Sequence, residues 1–326
     1  MFIENPIPKQ KTNTWFVFSG GGARGCWQWD LYHLIKHLFH IVGFTGTSTG
    51  SLTAMAAALD IPYAYLDKLF EQVFANNAKQ IFKPGDGHIK NGKFKINKLK
   101  LIPKLIFNRK GLKGMMSIDP LVETIEQILT DFPEWKYKFG FNVVDLHTGA
   151  RIRLTPDDFD DRHQLARGIA ASCNIPGLCG PITDLRTKDR VLKCVFDGGI
   201  RDGFPLKQAF DSMVLGEANQ AVGLGCNPKE MTPLEDLLDI FDYVGAAAYA
   251  GMNEMMLGDI SEVELVNNFI KEVGEQATGK KYTPITMIYY KGGRGVLEFT
   301  PESRLDMKKT AKEDYERLVM AISKAA

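Results

Sequence analysis

Apolar and polar positions near the start of the chain predict two strand-turn-helix units in succession. Residues 14–19 (TWFVFS) are mostly β-branched and aromatic, and three glycines follow them at residues 20–22. This pattern indicates a buried strand followed by a tight turn. Residues 26–40 then carry apolar side chains at helical spacing. Residues 44–45 have the character of a strand end, and the alanine-rich and leucine-rich residues 49–59 predict a helix that begins immediately after Ser48.

Strand-like and helix-like segments continue to alternate along the rest of the chain. The strand candidates are residues 137–145, 151–154, 190–196, 213–223 and 285–290. The helix candidates are residues 118–129, 163–172, 233–249 and 308–324. This alternation favours an α/β fold in which a mainly parallel sheet lies between layers of helices.

No internal repeat and no low-complexity linker divides the chain, so we expect a single domain over residues 1–326. A shift in composition marks a basic insertion at about residues 78–116. We expect the C-terminal part, at about residues 206–326, to be helical and to cover the sheet.

The insertion combines positive charge with apolar side chains. Between Lys79 and Lys113 there are eleven Lys or Arg residues against a single acid, Asp86. A basic amphipathic segment can lie on an anionic lipid surface, where each nearby Lys or Arg contributes about 1 kcal/mol. The alternative is a solvated loop and helix that is merely basic. The lysines expected to meet such a membrane surface are Lys90, Lys93, Lys95, Lys98, Lys100 and Lys104.

Composition excludes several classes of partner and cofactor. The chain has 40 Lys and Arg against 39 Asp and Glu, so its net charge of +1 gives no general attraction to nucleic acid. Its five cysteines are odd in number and form no CxxC pair, which favours a reducing, intracellular setting without a disulfide framework. Because no His, Cys or carboxylate cluster has metal-ligand spacing, we expect no metal and no other cofactor.

The sequence also lacks the usual signals for export and membrane insertion. The N-terminus has neither the basic start nor the long apolar stretch of a signal peptide. The longest apolar region, residues 240–257, is interrupted by polar residues and falls short of the roughly 20 apolar residues that a membrane span needs. We therefore expect a cytoplasmic protein that meets a bilayer only peripherally.

The clearest chemical signal is the GxSxG motif Gly46-Thr47-Ser48-Thr49-Gly50, between a predicted strand end and a helix start. In that context the serine occupies a strained turn and presents its hydroxyl as a nucleophile. The two glycines leave space where larger side chains would collide. The N-terminal amides of the following helix would point towards the reacting carbonyl. GxSxG also occurs by chance, and the strand-to-helix context favours the nucleophile.

A glycine-rich turn at the preceding strand-to-helix junction is the second signal. Its residues are Gly20, Gly21, Gly22, Ala23, Arg24 and Gly25. Glycines let successive backbone N–H groups point at one spot, so this loop is predicted to form an oxyanion hole. A dinucleotide-binding GxGxxG loop is the alternative, but it calls for an acidic ribose ligand about 20 residues later, where this chain has GTSTG. We expect Arg24 to brace the loop by hydrogen bonds or to attract an anionic head group.

A serine nucleophile needs a base, which is usually histidine. None of the six histidines lies in a turn motif that marks it as catalytic. Asp197 is the better candidate, because it follows a predicted strand and precedes Gly198 and Gly199, which leave it reachable. An Asp-Gly-Gly sequence after a strand is also a common turn.

Together these motifs resemble the patatin-like phospholipase family, whose pattern is a glycine-rich oxyanion motif, a GxSxG serine and a distant Asp-Gly-Gly or Asp-Gly-Ala. All three occur here in that order, with the serine and the aspartate 197 − 48 = 149 positions apart. Residues 141–149 and 170–176 (AASCNIP) extend the resemblance, which spans about residues 14–205. Two departures are Thr49, where the family more often has alanine, and Cys173-Asn174 before Ile175-Pro176. Thr49 would narrow the site or slow the enzyme, but it leaves its own backbone N–H available.

The resemblance implies a three-layer αβα patatin-like fold and a Ser-Asp dyad. Asp197 would take the proton of Ser48, and the serine would attack an ester carbonyl to give an acyl-enzyme that water hydrolyses. The implied activity is that of a lipid acyl hydrolase of the phospholipase A or lysophospholipase type, acting on a lipid or phospholipid. Two alternatives stay open: an esterase or acyltransferase acting on soluble acyl esters, and a catalytically silent lipid-binding protein of the same fold.

Overall fold

A seven-stranded sheet lies at the centre of the computed structural model, which describes residues 12–108, 113–228, 240–279 and 281–325. The strands in these ranges are β1 (Asn13–Phe18), β2 (His40–Gly46), β3 (Lys83–Pro84), β4 (Gly87–Lys90), β5 (Lys93–Ile96), β6 (Met116–Ser117), β7 (Lys138–Asp145), β8 (Ala150–Leu154), β9 (Leu185–Arg186), β10 (Val191–Leu192), β11 (Val195–Asp197), β12 (Gln220–Gly225) and β13 (Ile285–Tyr289). The order in the sheet is β11-β7-β2-β1-β12-β13, and β8 also pairs with β7. β8 and β11 run antiparallel to β7, and the other pairs in this sheet are parallel.

Helices cover both faces of this sheet. The helices of the described residues are α1 (Gly25–Ile35), α2 (Thr49–Ala58), α3 (Tyr63–Ala75), α4 (Lys98–Phe107), α5 (Asp119–Asp131), α6 (Arg162–Ser172), α7 (Leu206–Val214), α8 (Ile240–Val273), α9 (Glu275–Thr278) and α10 (Pro301–Ala325).

The alternation of side chains along β1 explains the layers. Phe16 and Phe18 point to one face, where they join a core that includes residues of α1, α2, α3, α5, α6 and α10. Trp15 and Val17 point to the opposite face and pack with buried residues of α7 and α8, such as Met213. The predicted α/β architecture, a three-layer αβα fold with a mainly parallel sheet, is confirmed.

The register of the central strands brings two of the sequence motifs together. Phe18 at the end of β1 lies opposite Gly46 at the end of β2. Parallel strands end at the same edge of a sheet, so the glycine-rich loop after β1 and the serine turn after β2 start side by side.

Two strand predictions are wrong in part. Within the predicted strand 213–223, the chain instead completes α7 at Val214, passes through a turn and enters β12 only at Gln220. The reason is that the apolar residues before Val214 repeat at helical spacing and bury one face of α7. The predicted strand 190–196 divides into β10, which pairs with β9 outside the main sheet, and β11, which pairs with β7.

Two helix predictions need revision. The helix predicted over residues 26–40 ends at Ile35, a 3-10 turn follows to Leu38, and β2 begins at His40. Residues 229–239, which include the start of the helix predicted at 233–249, lie outside the described residues. The helix present from Ile240 continues to Val273, well beyond the predicted end.

The basic insertion forms a hairpin of β4 and β5 followed by α4. Leu101 faces inward and is 3% exposed, whereas Leu99, Ile106 and Phe107 are 89%, 63% and 84% exposed. The six lysines predicted to face a membrane all have exposed side chains: Lys90, Lys93, Lys95, Lys98, Lys100 and Lys104. Arg109 and Lys110, which contribute to the predicted charge, lie outside the described residues.

The C-terminal part supplies more than a helical cover. Both β12 and β13 belong to the central sheet, and α10 packs against α1. The division of the chain into core, insertion and C-terminal part stays a prediction. Within the described residues, no helix has the length and apolar character that crossing a bilayer requires.

Candidate active site

Ser48 occupies a strained turn between β2 and α2. Its backbone dihedral angles, φ 55° and ψ −133°, lie in a region that non-glycine residues rarely adopt. A Cβ on Gly46 would lie 2.0 Å from the carbonyl oxygen of Gly50, and one on Gly50 would lie 2.4 Å from that of Phe18. Glycine at both positions therefore allows the sharp turn that places Ser48 at the edge of a cavity.

Hydrogen bonds to distant segments fix this turn. The N–H of Thr47 donates to the carbonyl oxygen of Phe18 at 3.2 Å, and its hydroxyl donates to the carbonyl oxygen of Asp202 at 3.0 Å. The N–H of Ser48 donates to the hydroxyl oxygen of Ser172, at the end of α6, at 3.0 Å. The backbone of the candidate nucleophile is thus held from two sides.

The glycine-rich loop packs closely against the serine turn. A Cβ on Gly20 would lie 3.0 Å from Cβ of Ser48, so a larger residue there would press on the nucleophile. Thr49 points its side chain at Gly25, where a Cβ would lie 2.1 Å from the Thr49 hydroxyl oxygen. The structure therefore accommodates the unusual Thr49 against a glycine of the loop.

The middle of the loop contacts later parts of the chain. A Cβ on Gly21 would lie 2.1 Å from Cβ of Cys226, which follows β12. Gly22 has a φ of +56°, which favours glycine, and a Cβ there would lie 2.1 Å from the carbonyl oxygen of Val296. Both positions lack room for a side chain.

Some N–H groups of this region are already used within the protein. The N–H groups of Gly20, Ala23 and Arg24 donate to the carbonyl oxygens of Gly203 at 3.4 Å, Val296 at 2.7 Å and Gly21 at 3.2 Å.

The N–H groups of Gly21, Gly22 and Thr49 donate no hydrogen bond to any of the described residues. Thr49 is the first residue of α2, so its N–H belongs to the free N-terminal end of that helix. Free N–H groups beside a nucleophile can stabilise a developing oxyanion. The predicted oxyanion loop thus offers Gly21 and Gly22 as donors, with Thr49 as a third.

Arg24 braces the loop instead of pointing into the cavity. Its side chain is only 9% exposed and lies 5.4 Å from the centre of the Tyr290 ring. Its Nε donates to the carbonyl oxygen of Arg294 at 2.6 Å, and its Nη1 donates to Oδ1 of Asn227 at 2.9 Å and to the carbonyl oxygen of Cys226 at 3.3 Å.

Asp197 ends β11 and is fully buried. Its Oδ1 accepts the N–H of Gly199 at 2.7 Å, while its Oδ2 is buried without a hydrogen-bond partner among the described residues. Burial raises the pKa of this carboxyl to about 7, and the neighbouring Ser48 hydroxyl and the Gly199 N–H oppose the rise. A carboxyl with an unused oxygen and a pKa near neutrality is suited to accept a proton.

The residues around Asp197 explain its position. Its N–H donates to the carbonyl oxygen of Asn174 at 3.0 Å, within this chain's AASCNIP segment, residues 170–176. A Cβ on Gly198 would lie 2.4 Å from the carbonyl oxygen of Asn142 on β7. Gly198 therefore lets the chain turn directly against β7.

A narrow apolar cavity of about 100 Å³ opens at Ser48. Gly22, Ala23 and Thr49 contribute to its lining beside the nucleophile. Most of its other walls come from α3, α5 and the segment before α10: Leu66, Leu69, Phe70, Val73, Phe74, Leu121, Ile125, Ile128, Leu297 and Phe299. The apolar walls suit a hydrocarbon group.

Other candidate nucleophiles and bases are poorly placed. None of the six histidines lines this cavity or hydrogen-bonds to Ser48 or Asp197 within the part of the chain that the structure describes. Cys173 lines the cavity, but burial and the nearby charge of Asp197 raise the pKa of its thiol. A protonated thiol is a weak nucleophile.

Sequence reasoning missed several residues that shape the site. Ser172 lies in the AASCNIP segment, whose resemblance to the family signalled its importance without revealing its contact with Ser48. Val296 and Arg294 gave no local signal, because their carbonyl oxygens act through the fold and not through a motif.

Comparison with known proteins identifies the family of the chain. The model of the patatin-like phospholipase family matches residues 16–210, so the predicted family is confirmed. A search of curated proteins finds no match. Among solved structures, this chain is similar to VipD from Legionella pneumophila, with a TM-score of 0.42 and 13% sequence identity over 96% of this chain and 67% of VipD.

Proposed function

The chain belongs to the patatin-like phospholipase family, whose members are lipid acyl hydrolases, and we propose that it hydrolyses lipid esters through an acyl-enzyme on Ser48. One observation carries the proposal: a strained serine and free backbone N–H groups meet at the mouth of an apolar cavity, beside a fully buried carboxyl. Each part supplies one requirement of acyl transfer.

The first half of the reaction forms the acyl-enzyme. Asp197 Oδ2 accepts the proton of the Ser48 hydroxyl as the serine oxygen bonds to the ester carbonyl carbon. The carbonyl oxygen becomes an oxyanion, which the N–H groups of Gly21, Gly22 and Thr49 stabilise. The bond to the alcohol then breaks, and the proton on Asp197 passes to the departing alkoxide to give a free alcohol.

The second half releases the acid. A water molecule gives a proton to Asp197 and bonds to the acyl carbon, and a second oxyanion forms at the same N–H groups. When the bond to the serine oxygen breaks, the proton returns from Asp197 to Ser48. The fatty acid leaves, and both side chains are restored to their starting states without a cofactor.

The cavity favours a lipid over a small soluble ester. Its walls from α3 and α5 are almost entirely aliphatic and aromatic. Binding of an acyl chain there is therefore favoured by about 25 cal/mol per Å² of apolar surface that is buried. An acyl chain lying there would place its ester carbon at Ser48. This supports an activity of the phospholipase A or lysophospholipase type.

The basic insertion is proposed to bring the enzyme to its substrate. On α4, Leu99, Ile102 and Ile106 share one exposed face, and Lys98 and Lys100 flank it. Apolar residues at the centre of a helix face with lysines beside them suit the surface of an anionic bilayer. Such docking would hold the cavity near lipid.

Labelling with a fluorophosphonate probe and release of fatty acid from phospholipid vesicles test the proposal together. We expect wild type to label and to release fatty acid, and Ser48→Ala to do neither. Asp197→Asn should lose about 10²–10⁴-fold in hydrolysis, because it removes the base. Ser212→Ala and Asp211→Asn, on α7 and away from the cavity, serve as matched controls with wild-type activity.

The other outcomes separate the alternatives. Labelling without release of fatty acid would indicate a soluble acyl ester as substrate, or acyl transfer to an acceptor other than water. No labelling of wild type would overturn the nucleophile and favour a silent lipid-binding protein. Full activity of Asp197→Asn would contradict the assignment of the base alone.

A further inference from the structure

A segment far from the sequence motifs lies directly against the glycine-rich loop. Residues 291–299 (KGGRGVLEF), called the strap below, lie between β13 and α10 and beyond the residues that the family model matches. The carbonyl oxygen of Val296 accepts the N–H of Ala23 at 2.7 Å and fills the space beside Gly22. The strap therefore contacts the loop at Ala23, which lies between the candidate oxyanion donors Gly21 and Gly22 and the start of α1.

Arg24 ties the loop to the strap from the other side. Its Nε donates to the carbonyl oxygen of Arg294 at 2.6 Å. The same guanidinium reaches Asn227 and Cys226 after β12. The loop is thus held between the strap and the end of a central strand, and one arginine makes both connections.

Glu298 gives the strap its shape. Its carboxylate accepts Nη1 of Arg294 at 2.6 Å and the N–H of Gly295 at 2.9 Å, which closes a turn around Val296. The N–H of Glu298 also donates to the carbonyl oxygen of Gly295 at 3.2 Å. Outside the turn, Gly92 of the basic hairpin packs on Glu298, where a Cβ on Gly92 would lie 2.9 Å from the Glu298 Cγ.

We propose that the strap positions the oxyanion loop, with Glu298 as its positioning residue. The turn that Glu298 closes aims the Val296 carbonyl at Ala23, and this bond fixes the direction of the Gly21 and Gly22 N–H groups. Stabilisation of an oxyanion depends on donors that are already aimed before the reaction. The proposal rests on the hydrolase function proposed above, but its structural part can be measured without catalysis.

Glu298→Ala removes both side-chain contacts that close the turn and leaves the backbone bond from the Glu298 N–H to Gly295 in place. We expect kcat for Ser48-dependent hydrolysis of a soluble ester to fall by about tenfold or more, less than the 10²–10³-fold loss of a whole donor. KM should stay unchanged, because misaimed donors act on the transition state. Glu298→Gln keeps an acceptor for the Gly295 N–H and should restore part of kcat. Glu313→Ala, which removes ion pairs with Lys309 and Arg317 on α10, is the matched control.

A second readout follows the loop itself. Hydrogen exchange measured by mass spectrometry should show faster exchange in the peptide that covers residues 19–25 of Glu298→Ala, because the Ala23 N–H loses a fixed acceptor. Exchange in α2 and the thermal unfolding midpoint should match wild type. Arg24→Lys loosens the same junction, so its effect on kcat should not add fully to that of Glu298→Ala.

If Glu298→Ala keeps both the kcat and the hydrogen exchange of wild type, the strap's role is overturned and the proposed hydrolase function stays intact. A parallel rise in KM, with no recovery in Glu298→Gln, would also count against positioning. If wild type shows no Ser48-dependent hydrolysis, the proposed function fails, and the exchange of residues 19–25 alone decides whether the strap holds the loop.

Discussion

Burial suits Asp197 to the role proposed for it, that of the base for Ser48. Its carboxyl is removed from water, and burial raises its pKa to about 7. A general base works best when its pKa lies near the working pH, because it is then both ionised and ready to hold a proton. Desolvation thus outweighs the opposing hydrogen bonds from Ser48 and Gly199 and brings the pKa of this carboxyl close to that of an imidazole.

This pKa predicts the pH dependence of the reaction. Only ionised Asp197 can accept the serine proton, so kcat/KM should rise with pH through about 7 and level off above it. The measurement is kcat/KM for a soluble ester at constant ionic strength from pH 5 to pH 9, after subtraction of the rate with Ser48→Ala. A profile that stays flat over this range, as the ordinary carboxyl pKa of about 4 would give, would mean that water reaches Asp197 in solution.

The candidate site could be predicted at those residues whose chemistry is local. Ser48 and the glycines around it were readable because a sharp turn restricts residue types at fixed spacing. Ser172 was not readable as a partner of Ser48, because the two are 124 positions apart and meet only in the folded chain. The Arg24 contact with Arg294 spans 270 positions and leaves no pattern in the sequence.

At the level of elements, α4 differs from a helix that only covers a core. Leu101 is buried on one side, while Leu99 and Phe107 are 89% and 84% exposed on the other. Exposed apolar residues gathered on one face of a helix mark a surface for binding lipid or protein. The lysines of α4 and of the β4–β5 hairpin favour an anionic partner.

Changing this face should weaken docking without touching the chemistry. We expect Leu99→Ser with Ile106→Ser to reduce binding to vesicles that contain phosphatidylserine, because each removes apolar surface worth roughly 1.5–3 kcal/mol when fully buried. Lys98→Glu with Lys100→Glu should also reduce it, and added salt should reproduce that loss. Co-sedimentation with vesicles measures both, and hydrolysis of a soluble ester should be unaffected.

The control for these variants lies on another exposed helix face. Leu265→Ser on α8 removes a side chain that is 72% exposed but has no matching set of lysines, so vesicle binding should stay at the wild-type level. Equal binding by all the α4 variants would remove the membrane role of the insertion.

The elements that the sequence predicted well are those with one clear periodicity. The aromatic and β-branched run of β1 and the alanine-rich α2 fit a single pattern, and the structure has both. Residues 213–223 mix the end of an amphipathic helix with the start of a buried strand, and both are rich in apolar residues. Periodicity within a short apolar run cannot separate these cases, so the boundary at Gln220 required the fold.

On the scale of the whole molecule, the chain after Asp197 links the candidate site to the opposite face of the sheet. The carbonyl oxygens of Asp202 and Gly203 accept hydrogen bonds from Thr47 and Gly20, and the N–H of Phe204 donates to Asp259 on α8 at 3.4 Å. One short segment therefore connects the serine turn, the oxyanion loop and the helix layer behind them.

Two acids meet where this segment reaches α8. Asp202 is 2% exposed and contacts Arg151 at 3.1 Å, with Arg153 also nearby on β8. Burial and the charge of Asp202 raise the pKa of Asp259 to about 7. Near neutral pH the pair therefore retains a proton that an unfolded chain would have released.

The sign of the resulting pH effect follows from linkage. Between the ordinary carboxyl pKa of about 4 and about 7, the folded state binds more protons than the unfolded state at Asp259, and also at Asp197. The free energy of unfolding therefore falls as pH rises through this window. Asp259→Asn removes one of the carboxyls whose pKa is raised, so its unfolding midpoint should fall less than that of wild type between pH 5 and pH 8.

Calorimetry at several pH values measures this difference. Each kcal/mol should appear as about 1–2 °C in a chain of 326 residues, because the entropy of unfolding is about 2.1 cal/mol/K per residue. Asp211→Asn is the control, because it removes an exposed partner of Lys207 in the same cleft and should keep the wild-type slope. Identical slopes for Asp259→Asn and wild type would mean that Asp202 and Asp259 do not share a proton. A shallower slope would show that the contact between α8 and the segment after Asp197 weakens as Asp259 loses its proton.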